Sequence, residues 1–163
     1  MAHAESWSEK RGREIIAAHQ AGEGPLLPIL HALQETFGHV PREAVPMVAE
    51  ALNLSRAEVH GVVTFYHDFR TAPPGRHVLK VCRAEACQAM GSARLEALVQ
   101  ARLGSTNGTA ADRSVTVEPV YCLGNCALAP SVQLDGKVQG RVSERRLDQI
   151  LDACRDGSAG GLA

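Results

Sequence analysis

The sequence has 163 residues, of which 45% are hydrophobic and 21% are charged, and its formal net charge is −1. This length suits one ordinary domain, or a small domain with a helical appendage, and the apolar content is sufficient for a buried core. The near-zero charge argues against binding to nucleic acid, and without a signal peptide or a membrane-length apolar run we expect a cytoplasmic protein with no membrane span.

Four helices are predicted in the first part of the chain. Serine and glutamate three residues apart, Ser6 with Glu9 and Ser55 with Glu58, have the capping-box pattern that opens a helix. The predicted helices cover residues 6–21, 25–37 and 41–52 and continue from Ser55 through Val63. Leu and Val at helical spacing give these segments apolar faces. We therefore expect a helical bundle over residues 1–72 that serves in docking.

The periodicity changes after Pro73-Pro74-Gly75, a breaker that predicts a domain boundary. Beyond it, residues 77–82 form a short β run, and a predicted helix after Gly91 is closed by Gly104. Two further strand patterns cover residues 114–122 and 131–142, and Asp135-Gly136 marks a hairpin in the second of these. A final helix is capped by Ser143. The prediction is a βαββα domain over residues 76–155, followed by a disordered tail at 156–163.

The chemistry is concentrated in four cysteines that form two pairs. Cys82 and Cys87 have C-x4-C spacing, Cys122 and Cys126 have C-x3-C spacing, and 34 residues separate the pairs. Each pair follows a predicted strand, and four thiolates from two loops suit a metal centre. The spacings are wider than in most zinc knuckles, which favours a [2Fe–2S] cluster. Zinc is the main alternative, whereas inert buried thiols or a C-x2-C redox site fit the pattern poorly.

The sequence around these pairs resembles a known family. Met-Gly-Ser follows the first pair at residues 90–92, and Ala-Pro-Ser-Val follows the second at residues 129–132. From about Trp7 to Cys154 the chain resembles the thioredoxin-like [2Fe–2S] ferredoxins, and among them the small iron–sulfur subunits of NADH-oxidising enzymes. The segment CRAEACQAMG looks most like the gamma subunit of a soluble, molybdenum-containing, NAD-dependent formate dehydrogenase.

The resemblance implies an α+β fold with an N-terminal helical bundle and a thioredoxin-like βαββα domain. It also implies that Cys82, Cys87, Cys122 and Cys126 hold one [2Fe–2S] cluster. The cluster would exchange single electrons with the FMN of a partner subunit that also binds NAD, and a third subunit with a molybdenum cofactor would oxidise formate. The alternatives are the equivalent subunit of complex I or of an NAD-reducing hydrogenase, and then a free ferredoxin or a zinc-stabilised adaptor.

Other candidate residues carry less specific signals. Cys154 falls on the inner face of the last predicted helix, so we interpret it as a core residue. Arg83 either compensates the negative charge of a cluster or lies on a solvated face. Gly124 suggests a positive φ or a close backbone approach in the second cysteine loop, and an ordinary loop glycine is the alternative. Pro130 is equally compatible with a cis bond facing the site and with a trans proline that starts an edge strand.

No second site is predicted from the sequence. None of the seven histidines has an i, i+4 partner, and neither G-x-G-x-x-G after a strand nor a P-loop occurs. The Asp, Glu and Ser residues form no recognisable acid/base set. We therefore expect a non-catalytic subunit, with the catalysis in its partners.

Overall fold

The computed structural model describes residues 4–104 and 107–159. These residues fall into two compact units that are divided between Pro73 and Pro74. Within them lie seven α-helices and one five-stranded sheet, so the predicted α+β class is confirmed. None of the helices in the described ranges is long and apolar enough to cross a membrane.

The first unit consists of four helices, as predicted. They are α1 (Glu9–His19), α2 (Leu26–Phe37), α3 (Ala44–Leu52) and α4 (Arg56–Phe65). The apolar face of α2 contributes Ile29, Leu30 and Leu33, which are completely buried. Gly38 ends α2 in the left-handed region at φ 76° and donates its N–H to the carbonyl of Gln34. The unit thus has its own core, built on the aliphatic stripe that the sequence shows.

The two predicted capping boxes have different outcomes. At α4 the Ser55 side chain accepts the N–H of Glu58, and the Glu58 carboxylate accepts the N–H of Ser55, so this box is confirmed. At α1 the N-cap is Ser8 instead of Ser6, and its side chain makes no capping hydrogen bond. Glu9 follows this N-cap directly and pairs with Arg13 at 2.7 Å. The capping box predicted at Ser6 was therefore wrong, because Ser6 lies two residues before the N-cap and Glu9 is the first residue of the helix, not its third.

The second unit is a mixed sheet with three helices. Its elements are β1 (His77–Cys82), α5 (Glu85–Ala89), α6 (Ser92–Leu103), β2 (Gly108–Thr109), β3 (Val115–Val120), β4 (Val132–Leu134), β5 (Lys137–Gln139) and α7 (Glu144–Asp156). The sheet order is β2-β3-β1-β4-β5. Strands β1 and β3 are parallel, with Cys82 opposite Val120, and β4 is antiparallel to β1. The segments that follow β1 and β3 therefore leave the sheet at the same edge.

The predicted βαββα order is formed by β1, α6, β3, β4 and α7. Strand β5 completes the predicted hairpin, in which Asp135 and Gly136 have the positive φ values, 49° and 87°, of a two-residue turn. Two elements were missed: α5, inside the first cysteine segment, and β2, which lies between the helix closed by Gly104 and the strand pattern that begins at residue 114. Both are too short to show a periodicity.

The end of α7 also differs from the prediction. The tail was expected to begin at residue 156, but α7 continues through Asp156, and Gly157 closes it at φ 76°. Ala159 is buried, because it packs against the core of the second unit. Residues 160–163, the rest of the expected tail, lie outside the described residues.

The core of the second unit is built from the sheet, α6 and α7. Its most buried large side chains are Leu79, Leu95, Leu134, Leu147 and Ile150. Cys154 belongs to this core and is fully buried, as predicted. Burial raises the pKa of the Cys154 thiol to about 12. This cysteine is therefore a packing residue.

The capping box at α4 allows a matched test of helix capping. Ser55→Ala should lower the stability of the first unit by about 1 kcal/mol, because the first turn of α4 loses its side-chain acceptor. Ser6→Ala is the control, and we expect it to change stability by less than about 0.5 kcal/mol. Chemical denaturation followed by circular dichroism measures both values. Equal losses in the two variants would contradict the observed start of α1.

Candidate metal centre

The two cysteine pairs meet at the edge of the sheet where β1 and β3 end. Cys82 is the last residue of β1, and Cys87 lies in α5; both are 2% exposed. Cys122 follows β3, and Cys126 begins a single 3₁₀ turn that ends at Leu128; both cysteines are exposed. The parallel pairing of the strands thus brings together four thiols that are far apart in the sequence.

The thiols are arranged as two close pairs. The Sγ atoms of Cys122 and Cys126 are 3.8 Å apart. Metal–sulfur bonds of about 2.3 Å at a tetrahedral angle place two sulfurs at about this distance, so the pair fits chelation of one metal atom. Cys87 is hydrogen-bonded to the Cys82 thiol. In the two described ranges, no three His, Cys, Asp or Glu side chains have the spacing that a single metal ion requires.

One thiol of each pair, Cys87 in the first and Cys126 in the second, is made harder to ionise by its surroundings. Burial raises the pKa of Cys87, and the hydrogen bond and charge of Cys82 raise it further. The hydrogen bond with the Cys122 thiol, followed by its charge, raises the pKa of Cys126. Charge interactions also link Cys126 with Cys82 and Cys87, which belong to the other pair. A metal centre supplies the positive charge that four clustered thiolates need, so the donor set fits an iron–sulfur cluster.

The second cysteine loop has an unusual backbone. Gly124 adopts φ 71°, which confirms the positive φ predicted for it, and its N–H points at the Cys122 sulfur at 3.3 Å. Cys122 itself has φ 155°, a sparsely populated region for a residue with a Cβ. Such a conformation costs about 1–3 kcal/mol and is concentrated at functional sites. The loop therefore holds its sulfurs in place at a conformational cost.

Arg83 has a specific partner. Its Nε lies 3.1 Å from Oε1 of Glu96 on α6, and the two side chains are 23% and 28% exposed. The amide of Gln88 also donates to the Arg83 carbonyl at 2.8 Å. Arg83 is thus not on a freely solvated face, since its ion pair ties the segment between Cys82 and Cys87 to α6.

Two backbone features lie next to the second cysteine loop, a cis peptide bond and a close approach of the chain at Gly140. The Ala129–Pro130 bond is cis, which decides between the two alternatives for Pro130. A Cβ at Gly140 would lie 2.5 Å from Cβ of Leu128, so the chain after β5 approaches the loop closely. There the N–H of Arg141 donates to the Leu128 carbonyl at 2.6 Å. Gly140 was not among the predicted site residues, although it lies inside the strand pattern of residues 131–142, where an isolated glycine is a signal of close approach.

Comparisons with known proteins agree with this geometry. The sequence matches the family described as thioredoxin-like [2Fe–2S] ferredoxin over residues 12–155. It is 36% identical to an NADH-quinone oxidoreductase subunit of Pseudomonas aeruginosa over 125 residues, 76% of this chain and 75% of that protein. It is 34% identical to the NADP-reducing hydrogenase subunit HndA of Solidesulfovibrio fructosivorans over 139 residues, 85% of this chain and 81% of that protein.

The fold is shared with a solved enzyme structure. The structure of an NAD+-reducing [NiFe]-hydrogenase in the air-oxidized state matches with a TM-score of 0.69 and 23% sequence identity. The match covers 81% of this chain and 23% of that chain, so this protein corresponds to less than a quarter of the hydrogenase chain. At this identity the likeness shows the fold alone.

The exposure of the five thiols predicts an order of reactivity. In cluster-free, reduced protein, Cys122 and Cys126 should react with iodoacetamide faster than Cys82 and Cys87, because their sulfurs reach solvent. Cys154 should stay unmodified until the protein is denatured, since burial raises its pKa to about 12. Peptide mass spectrometry after timed alkylation measures the five rates. Modification of Cys154 as fast as Cys126 would contradict the structure.

Proposed function

Because the chain belongs to the thioredoxin-like [2Fe–2S] ferredoxin family and binds a [2Fe–2S] cluster, we propose that Cys82, Cys87, Cys122 and Cys126 are the ligands. The observation that carries this assignment is the convergence of the two pairs at one sheet edge, with 3.8 Å between the sulfurs of the second pair. When bound, the cluster takes up and releases one electron at a time. The protein is then an electron-transfer subunit, and its substrates are turned over by its partners.

The unequal exposure of the pairs suggests a direction for electron transfer. The first pair is buried, whereas Cys122 and Cys126 lie at the surface. Electron-transfer rates fall steeply with distance, so a partner's redox centre approaches most closely at the second loop. Tyr121 and Leu128 flank this loop and are 73% and 40% exposed. Exposed aromatic and aliphatic side chains around a redox loop suit the core of a protein interface.

For the parent enzyme we propose a soluble NAD-dependent formate dehydrogenase. The direct partner is the subunit that binds FMN and NAD, and a molybdenum-containing subunit in the same complex oxidises formate. Support comes from the segment between Cys82 and Cys87, where Arg-Ala-Glu-Ala resembles the gamma subunits of these enzymes. The second candidate is the equivalent subunit of complex I or of an NAD-reducing hydrogenase. It is supported by the 36% identical relative, which is named as an NADH-quinone oxidoreductase subunit, and by the 34% identical relative, which is named as a subunit of an NADP-reducing hydrogenase.

The helical unit is proposed as the docking element. Phe65 ends α4, and Tyr66 follows it; their rings pack edge to face with centroids 5.2 Å apart. Their side chains are nonetheless 72% and 44% exposed. Neighbouring exposed aromatic rings are a common feature of protein interfaces. In the proposed complex this aromatic pair is covered by the FMN-binding subunit.

The ligand assignment predicts the cofactor content and its loss. Anaerobically purified protein should contain about two irons and two labile sulfides per chain, and dithionite should produce one [2Fe–2S] EPR signal. Alanine at any one of Cys82, Cys87, Cys122 or Cys126 should abolish or strongly destabilise the cluster. Cys154→Ala is the matched control, expected to keep the spectrum and to cost at most about 1 kcal/mol of stability. Stoichiometric zinc without labile sulfide would contradict the assignment.

The parent enzyme is tested by purifying the tagged chain from its own cells. Mass spectrometry should identify an FMN-binding and a molybdenum-containing subunit, and formate should reduce the cluster of the purified complex, seen by EPR. Recovery with hydrogenase or quinone-reducing subunits, and reduction by hydrogen or NADH but not by formate, would favour the second candidate instead.

The docking role is tested in the same purification. A chain that lacks residues 1–70 retains the complete sheet and all four cysteines, so it should remain coloured. It should nevertheless fail to recover the FMN-binding subunit. Undiminished recovery by this truncated chain would show that the helices have another role.

A further inference from the structure

Ser131 lies between the two cysteine pairs. It follows the cis-bonded Pro130 and precedes Val132, where β4 begins. It is 1% exposed, although it is polar and lies only five residues after the exposed Cys126. A buried serine at such a place needs hydrogen-bond partners, and the partners of Ser131 belong to both cysteine segments.

The backbone of Ser131 contacts the first pair. Its carbonyl accepts the N–H of Cys82 at 3.2 Å, which extends the pairing of β1 with β4 up to the first ligand. Its N–H donates to the Cys87 thiol. Both cysteines of the first pair are therefore held against one residue.

The side chain of Ser131 contacts the second loop. Its Oγ accepts a hydrogen bond from the Asn125 side-chain amide at 3.2 Å. The hydroxyl proton faces the carbonyl oxygens of Asn125, at 3.4 Å, and Leu128, at 3.3 Å. These residues bracket Cys126, because Asn125 precedes it and Leu128 closes the 3₁₀ turn that it begins. The hydroxyl thus fixes the part of the loop that carries the fourth thiol.

We propose that Ser131 is a positioning residue that sets the two cysteine pairs at the separation that the [2Fe–2S] cluster requires. The inference rests on the proposed ligand assignment. Cys82 and Cys87 belong to regular elements, whereas the second loop has a single 3₁₀ turn, so contacts from outside the loop must fix its position. Ser131 provides such contacts, since its main chain is hydrogen-bonded to the first pair and its hydroxyl to the second loop.

Loss of the hydroxyl should affect both the lifetime and the reduction potential of the cluster. Without it, the carbonyls of Asn125 and Leu128 lose a donor, and the loop around Cys126 admits water. Water stabilises the more negative, reduced state of the cluster, so the potential should rise. A hydrogen bond lost at a buried site corresponds to about a tenfold change in rate or equilibrium constant.

The test compares two buried serines in the full-length protein. Ser131→Ala should lose its cluster to an iron chelator about tenfold faster than the wild type, with a higher midpoint potential and a broader EPR signal. Ser114→Ala is the matched control: Ser114 is 2% exposed and donates to Asp112 at 2.7 Å, at the opposite end of β3. We expect this control to keep the wild-type potential and lifetime.

Asn125→Ala provides a second variant should Ser131→Ala fail to fold. It should show the same changes, and in the double variant the effects should be less than additive, because both side chains act through one contact. Potentials and cluster lifetimes equal to those of Ser114→Ala in both variants would overturn the proposal. Failure of the ligand assignment is recognised separately, since alanine at a paired cysteine would then leave the cluster intact.

Discussion

The parallel pairing of β1 with β3 is the constraint on which the site depends. The register runs from His77 opposite Val115 to Cys82 opposite Val120, so both strands end at the same edge of the sheet. Thirty-four residues separate the two cysteine pairs, and local structure alone cannot bring them together. The α6 crossover makes the parallel pairing possible and places the following segments side by side. The convergence of the four thiols is therefore a consequence of the topology.

The second constraint is electrostatic. Burial and the neighbouring Cys82 thiol raise the pKa of Cys87, and the neighbouring Cys122 thiol raises the pKa of Cys126. Hydrogen-bond donors directed at sulfur, such as the N–H groups of Gly124 and Ser131, compensate the build-up of negative charge. The first pair is buried and attached to regular elements, whereas the second is exposed on a strained loop. Burial limits solvent access to one side of the site, and exposure of the other side leaves a short path for electrons. A site with one buried and one exposed cysteine pair suits a centre that exchanges electrons with a partner protein.

The protein combines the unit that carries all five cysteines with a helical unit that carries none. Two relatives are named as subunits of NADH-quinone oxidoreductase and of NADP-reducing hydrogenase. Their similarity covers about three quarters or more of the chain, so it extends into both units. In the proposed complex, specificity for the parent enzyme lies in surface residues, because the cores and the cysteine spacings are compatible with several enzymes. The exposed side chains of Phe65, Tyr66 and Tyr121 are the places where such specificity can act.

By itself, the sequence determined the features that depend on local spacing. These are the helix and strand patterns of the α+β class, the capping box at Ser55 and the positive φ of Gly124. Their signals lie within a few residues, where helical and strand periods and turn chemistry act. Only the tertiary structure decided the ion pair of Arg83 with Glu96, the close approach of Gly140 and the contacts of Ser131 with both cysteine pairs. These features join residues from different elements, and no local pattern encodes which surfaces the sheet brings together.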